Sequence, residues 1–274
     1  MSCSAKSALH LFVDRLDQRS HLSGEEADAL LNMSGNTSVS AAHRDIVSVG
    51  ETTKYATLVL DGLAGRFGVV IDGQRQITAL HVAGDMCDLH ALVAPEAGWA
   101  IQALAPTAIL RIPHHQIREI ARRFPNVAEA FWRDCSVDAS ILSEWIVNVG
   151  RRDARARLAH LLCEMAVRME NAGLGTRDKF QFQATQSQLG DALGLTPVHV
   201  NRTIRALREM NLLTIHGHEV GISDWDAMAT LGDFYDAYLK ADAWAHRSPP
   251  QRAYTSNWAG RQFFAPAVLD SGHR

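Results

Sequence analysis

The sequence predicts an α+β protein in which a small antiparallel β-barrel or sandwich is joined by a long helix to a helical module that ends in a hairpin. Three observations predict it. Residues 44–112 consist of short runs rich in Val, Ile, Leu and Thr, with glycine breaks about every ten residues. Residues 126–149 carry an uninterrupted helical apolar repeat. Residues 185–213 hold two short amphipathic segments split by Gly194, with a hairpin pattern directly after them. The chain has 274 residues, 47% apolar and 21% charged, which is enough for two modest domains of ordinary globular composition.

Each element has a local reason. Residues 10–34 read as helical, and Ser23-Gly24-Glu25-Glu26 is a capping box ahead of ADALLNM. The strand runs are IVSV, YATLVL, FGVVI, ITALHV, WAIQAL and AILRI, with turns favoured at Asp61-Gly62 and Asp72-Gly73. Pro113 closes the last run, residues 114–123 form a short helix, and Phe124-Pro125 stops it. The long helix places Ala128, Trp132, Cys135, Ala139, Leu142, Ile146 and Val149 at alternating spacings of four and three, the repeat of a coiled-coil seam. It could pack on its own domain, but a helix that joins two modules favours a seam between two copies. Gly150 is expected to break it. Residues 152–171 give another amphipathic helix, with Leu158, Leu161, Leu162, Met165, Ala166 and Met169 on one face. NAGLGTRDK reads as a turn and FQFQ as a short strand. Beyond residue 232 no periodicity persists, and a flexible tail is expected. The domains expected are thus 1–124, 125–150, 151–232 and an extension, 233–274.

Several classes are disfavoured. No apolar run approaches the roughly 20 residues of a bilayer span. The N-terminus has only a short apolar patch with acids close behind, unlike a secretory signal, so a cytoplasmic protein without a membrane partner is expected. Cys3, Cys87, Cys135 and Cys163 form no C-x-x-C pair, which argues against zinc, iron–sulfur or disulfide frameworks. No P-loop, G-x-S-x-G or H-E-x-x-H is present, so no catalytic residues, cofactor or metal site are assigned and no enzyme is expected.

The informative segment runs from Thr185 to Leu213. Thr185 and Gln188 make a T-x-x-Q capping box, and Leu189, Ala192 and Leu193 give the first helix its buried face. Gly194 suits a left-handed C-cap. Thr196 caps the second helix and Pro197 takes its first position, where the missing N–H costs nothing. Val200, Ile204 and Leu207 form its buried stripe, leaving His199, Arg202, Arg205 and Arg208 more exposed. In such a pair the first helix crosses a DNA backbone while the second enters the major groove. Arg202 is long enough to bond guanine O6 and N7 together. Arg205 and Arg208 suit phosphates or solvent. LLTIHGHEVGIS then predicts two short strands about a His-Gly-His turn, which makes the arrangement a winged helix-turn-helix, and SDWDAMATLGDF opens another helix.

Charge agrees. The chain carries a net −3, but residues 151–223 hold ten Lys/Arg against seven Asp/Glu, leaving −6 elsewhere. A basic module joined to an acidic one fits double-stranded DNA as partner.

From LGDALGLTPVHVNRTIRALREMNLL and EWIVNVGRRDARARLAHLLCEM the chain resembles the Crp–Fnr family of bacterial regulators, over residues 30–235. The resemblance implies a cyclic-nucleotide-binding-like β-roll of jelly-roll type over 44–112 and a dimerisation helix over 126–149. It further implies a homodimer on palindromic operators, modulated by a signal at the roll, with RNA polymerase as a further partner. By position Arg202 matches the family's guanine-reading arginine. Pro197, Val198 and His199 occupy the other base-facing positions, without the Glu or Arg common there. Thr185, Gln186 and Thr196 match positions that hold phosphate, and Arg205 joins them. The effector region departs from the pattern. Gly84-Asp-Met-Cys-Asp and Pro95-Glu-Ala-Gly-Trp-Ala100 lack the arginine that pairs a cyclic phosphate, so cyclic nucleotide is not expected. Cys3 alone does not supply the cysteine cluster of the oxygen-sensing branch. Cys87 lies beside Asp85 and Asp88, which raise a thiol pKa, so no redox role is expected. Cys135 is expected to pack, although its oxidation would disturb the seam. His81, His90, His114 and His115 are expected to pack or face solvent rather than bind haem or metal. The competing reading is a small-molecule-binding regulatory subunit with a vestigial DNA module.

Overall fold

A computed structural model describes residues 5–240. Cys3 and the expected tail from residue 241 lie outside the described residues. The N-terminal helical stretch is two helices, α1 (Ala5–Ser20) and α2 (Gly24–Leu31), rather than one. His21 takes a positive φ of 50° between them, and Ser23 caps α2 with both bonds of the predicted box.

Seven strands follow: β1 (Asn36–Ser40), β2 (Asp45–Val47), β3 (Tyr55–Asp61), β4 (Ala64–Val69), β5 (Arg75–His81), β6 (Ala100–Ala103) and β7 (Thr107–Pro113). They form two antiparallel sheets, ordered β1-β7-β3 and β2-β6-β4-β5. Ile46, Val47, Val59, Ala64, Ile101, Ala103 and Ile109 fill the space between them. β1 has no counterpart among the expected runs. It is a polar, exposed edge strand, NTSVS, so no apolar alternation marks it. The two predicted turns differ. Asp72-Gly73 closes the β4–β5 hairpin, with Gly73 at φ 83°. Asp61-Gly62 instead carries the chain from one sheet to the other. Gly62 has φ 94°, and an added Cβ would come within 2.4 Å of the Pro106 carbonyl oxygen, so only glycine fits this corner.

α3 (His114–Arg123) and α4 (Pro125–Arg151) come next. Gly150 does not break α4. The helix runs one residue further, and the turn falls at Arg152, whose backbone is extended and whose side chain reaches Glu144 at 2.6 Å. Asp153 then caps α5 (Ala154–Asn171) through the N–H groups of Arg155 and Ala156. The remaining elements are β8 (Gly175–Thr176), β9 (Lys179–Gln181), α6 (Gln186–Leu193), α7 (Pro197–Glu209), β10 (Leu213–His216), β11 (Glu219–Ile222) and α8 (Trp225–Leu231). The expected hairpin is part of a larger sheet, ordered β10-β11-β9-β8.

Residues 233–240 depart from the expected tail. Asp236–Leu239 is a turn of 3-10 helix with Ala237, Tyr238 and Leu239 buried. The Tyr238 hydroxyl donates to Glu164 Oε2 at 2.9 Å.

One apolar core runs from the outer face of β4 and β5 (Phe67, Ile77, Leu80) through Val137, Ile141 and Trp145 of α4 to α5, α6 and α7. The helix-turn-helix therefore sits directly on the roll. A second core gathers α1, α2, α3 and the first half of α4 against β3 and β7. Among the described residues no helix is long and apolar enough to cross a membrane.

Candidate nucleic-acid interface

The two helices of the expected reader form as their caps dictate. Thr185 Oγ1 accepts from Gln188 N at 3.2 Å, while Gln188 Oε1 accepts from Thr185 N at 2.8 Å. Gly194 ends α6 at φ 63°, ψ 40°, in the left-handed region. Thr196 Oγ1 accepts from His199 N at 3.2 Å, with Pro197 opening α7. A capping hydroxyl spends a lone pair and keeps its O–H, so Thr185 and Thr196 can still donate to phosphate.

Leu189, Ala192 and Leu193 of α6 and Val200, Ile204 and Leu207 of α7 are buried, together with Thr203. At about 100° per residue, the face of α7 opposite this stripe carries Val198, Arg202 and Arg205. Pro197 and Asn201 flank it on one side and His199 on the other, and all six are exposed. Among the described residues neither Arg202 nor Arg205 meets a carboxylate, so both guanidinium groups stand free. Arg208 is spent differently: its Nη2 donates to the Ile215 carbonyl at 2.9 Å and ties α7 to the wing. Gln186 is exposed at the first position of α6, and its Oε1 accepts from Asn201 Nδ2 at 3.2 Å. Asn201 is not among the site residues expected from the sequence. Its position one residue before Arg202 is the signal that could have raised it.

The Crp-like helix-turn-helix domain family matches residues 156–231. The fumarate and nitrate reduction regulatory protein of Escherichia coli K12 is 23% identical over 210 residues, spanning 77% of this chain and 84% of that protein. FixK2 of Bradyrhizobium japonicum superposes at a TM-score of 0.66 with 23% identity, over 72% of this chain and 96% of that one. A CRP/FNR-family transcriptional regulator of Thermus thermophilus gives 0.55 at 18% identity, over 72% and 98%. Residues 156–231 are thus a Crp-like helix-turn-helix domain, and over about three quarters of its length the chain is similar to Crp–Fnr regulators. These findings make it a DNA-binding transcription regulator.

In this chain the reader is anchored to the roll through α6. Gln188 Nε2 donates to the Leu104 carbonyl at 2.8 Å, and Gln76 Nε2 to that of Ala192 at 3.1 Å. Arg75 meets Asp191 Oδ2 through Nε at 2.8 Å and Nη2 at 2.6 Å. The capping glutamine thus has a second role that only packing reveals.

The roll holds a small, shallow cleft lined by Thr53, Arg66, Asp88, His90, Pro95 and Trp99, among others. Its arginine comes from β4, outside the stretch where a phosphate partner would be sought. Asp85, which follows the glycine turn, is already bound by Arg15 and by Arg168 at 2.8 Å. With Asp85 committed and the carboxylate-bearing Asp88 lining the same cleft as Arg66, the residues present do not fit a cyclic nucleotide.

Asp88 is buried. Burial pushes its carboxyl up to about 7, against the lowering effect of the bonds it accepts from Thr57 N at 2.6 Å and Thr57 Oγ1 at 3.2 Å. A folded-state value above the unfolded 3.8 means full stability at low pH, lost progressively as pH rises from about 4 to about 7. Asp88→Asn keeps an acceptor for Thr57 N and removes that loss. The variant should match the parent near pH 3.5, below the unfolded value, and exceed it near pH 8 by on the order of 2–4 kcal/mol. Urea denaturation at the two pH values checks this.

The cysteines and histidines also have physical accounts. The Cys87 thiol lies well above its ordinary pKa, chiefly through burial and only secondarily through Asp88 and Asp85. Burial pushes Cys135 and Cys163 up to about 12. His81 is driven down to about 3 by burial, and His90 and His114 are lowered for the same reason. His115 is exposed. Among the described residues no cluster of His, Cys, Asp and Glu could hold a metal ion.

α4 buries Val127, Ala130, Phe131, Asp134, Val137, Ile141, Trp145 and Asn148 against its own chain. The expected seam lies on another face. Trp132 is 71% exposed and Ile146 66%, Ala139 is exposed, and Ala128, Cys135, Leu142 and Val149 are half-buried.

Proposed function

We propose that this chain reads a palindromic operator as a homodimer, with α7 in the major groove and α4 as the seam. The observation that carries the reading is an exposed α7 face of Val198, Arg202 and Arg205 on a helix whose other side is locked into the core. Arg202 suits guanine O6 and N7, and Val198 suits a thymine methyl. Pro197 and His199 border these contacts at the base edges. Thr185, Gln186, Thr196 and Arg205 suit phosphates, the first three at helix N-termini.

Dimerisation is supported by a helix that is apolar on two faces with only one covered. A bare tryptophan and isoleucine seven or more residues apart on such a stripe call for a partner helix. The division into roll 1–124, dimerisation helix 125–150 and DNA-binding module 151–232 belongs to the same reading, as do a signal acting through the roll, contact with RNA polymerase and a cytoplasmic setting. Ile146→Asp combined with Trp132→Asp should give a folded monomer. Operator affinity should then fall at least tenfold, because one half-site is lost. Sedimentation with parallel DNA titration checks both parts; a double variant that stays dimeric would sink the seam. The overall reading is tested by selecting sites from random DNA with the full chain. Enrichment of an inverted repeat, with half-sites about one helical turn apart, is expected.

A further inference from the structure

We propose that Asn201 is a base-reading residue that selects adenine, and that Gln186 is the positioning residue that holds it in its reading pose. The proposal rests on the reading of α7 as the helix that enters the major groove. Its own observation is the side-chain clip between the two helices: Asn201 Nδ2 donates to Gln186 Oε1 at 3.2 Å, with both residues exposed.

The chemistry follows from what that bond leaves over. A carboxamide has two N–H donors and one oxygen acceptor. One N–H goes to Gln186. A bond through the N–H that points away from the carbonyl leaves the N–H beside the oxygen free, and these two form a donor–acceptor fork in one plane. Adenine presents the matching pair in the major groove, N7 as acceptor and the N6 amino group as donor. Guanine presents two acceptors there, thymine one acceptor and a methyl, and cytosine one donor, so none of them pairs with both arms.

The clip also sets the orientation. The last torsion of an asparagine side chain is broad, so a free Asn201 would sample many amide planes and would lose that freedom on binding. Gln186 narrows the choice before DNA arrives. Its own base is firm. α6 is capped at Thr185, and the turn into α7 lies so close on α6 that a Cβ on Gly190 would come within 2.5 Å of the Leu195 carbonyl oxygen. Asn201 sits next to Arg202 in the chain and flanks the outward face on the side of Pro197. Adenine is thus expected at a single position close to the guanine read by Arg202.

The test is site selection from random DNA with the full chain, its Asn201→Ala variant and its Gln186→Ala variant. The wild type should enrich adenine at one position per half-site. Asn201→Ala should flatten that position by about tenfold and leave the guanine preference intact. Gln186→Ala should weaken the adenine preference at the same position severalfold, a change of specificity that a phosphate contact alone would not produce. Both residues are exposed, so circular dichroism melts should superpose. Unchanged base preferences in Asn201→Ala would overturn the proposal while leaving the operator-reading function standing. Equal weakening on every sequence in Gln186→Ala would overturn the positioning role. A wild type that enriches no sequence would sink the recognition-helix reading and this proposal with it.

Discussion

Replacing Arg202 with alanine is expected to weaken operator binding by on the order of 1–3 kcal/mol, and to relax the base preference at one position of each half-site. The loss should be large because the side chain has no competing partner. It is exposed on the outward face of α7, among the described residues no carboxylate meets it, and its fork matches guanine O6 and N7. Lysine at this position should recover part of the electrostatic attraction but not the selectivity, since an ammonium group is a point charge rather than a fork. The measurement is a titration against the selected operator and against the same DNA with the guanine replaced. A variant that loses affinity equally on both would make Arg202 a phosphate contact.

Replacing Arg168 with methionine is expected to destabilise the fold by about 3–5 kcal/mol, because it takes the cation from the fully buried Glu164 and leaves Asp85 with Arg15 alone. Arg168 joins α5 to the glycine turn of the roll. Its Nη2 meets Asp85 at 2.8 Å and the Leu80 carbonyl at 2.6 Å, while Nη1 meets Glu164 at 3.1 Å. Glu164 is fully buried and also accepts from Trp145 Nε1 at 2.9 Å. For a chain of this size the loss corresponds to a fall in Tm of roughly 6–20 °C. It should depend on pH. Asp85 would be raised by burial, but Arg168 and Arg15 hold it down to about 2. A depressed carboxylate contributes stability above its unfolded value of 3.8, and this is lost as pH falls through 2. Without Arg168 that depression shrinks and protonation relieves the stranded charge. The deficit of the variant should therefore narrow between pH 7 and pH 4. Thermal melts at the two values check this; an equal deficit at both would show that lost packing, not charge, is responsible.

The helix-turn-helix was legible because every signal for it is local. Caps at Thr185 and Thr196, the left-handed Gly194 and the buried stripes all act within a few residues of the chain, and all form as expected. The strand runs were legible for the same reason, but their partners were not. β3 and β4 are consecutive, yet they belong to different sheets. β1 escapes notice because a polar edge strand carries no apolar alternation. Gly150 misleads because glycine only weakens a helix, and Arg152 with Asp153 decides where the turn falls.

By itself, then, the sequence determined the reader: its caps, its glycine, its outward arginines and the apolar stripe on α4. Only the tertiary structure decided what those parts rest on. Asp191 pairs with Arg75, 116 positions away, and Gln188 reaches Leu104 across 84. Asp85 is shared between Arg15 and Arg168, 70 and 83 positions distant. The cleft takes its arginine from β4, and Asn201 meets its clip on the neighbouring helix. Periodicity and capping record which face of an element is buried, because those energies arise within one or two turns. They carry no record of which distant element covers that face. That choice follows from how the roll, α4 and the reader close around one core, and there the partner of each buried charge is set.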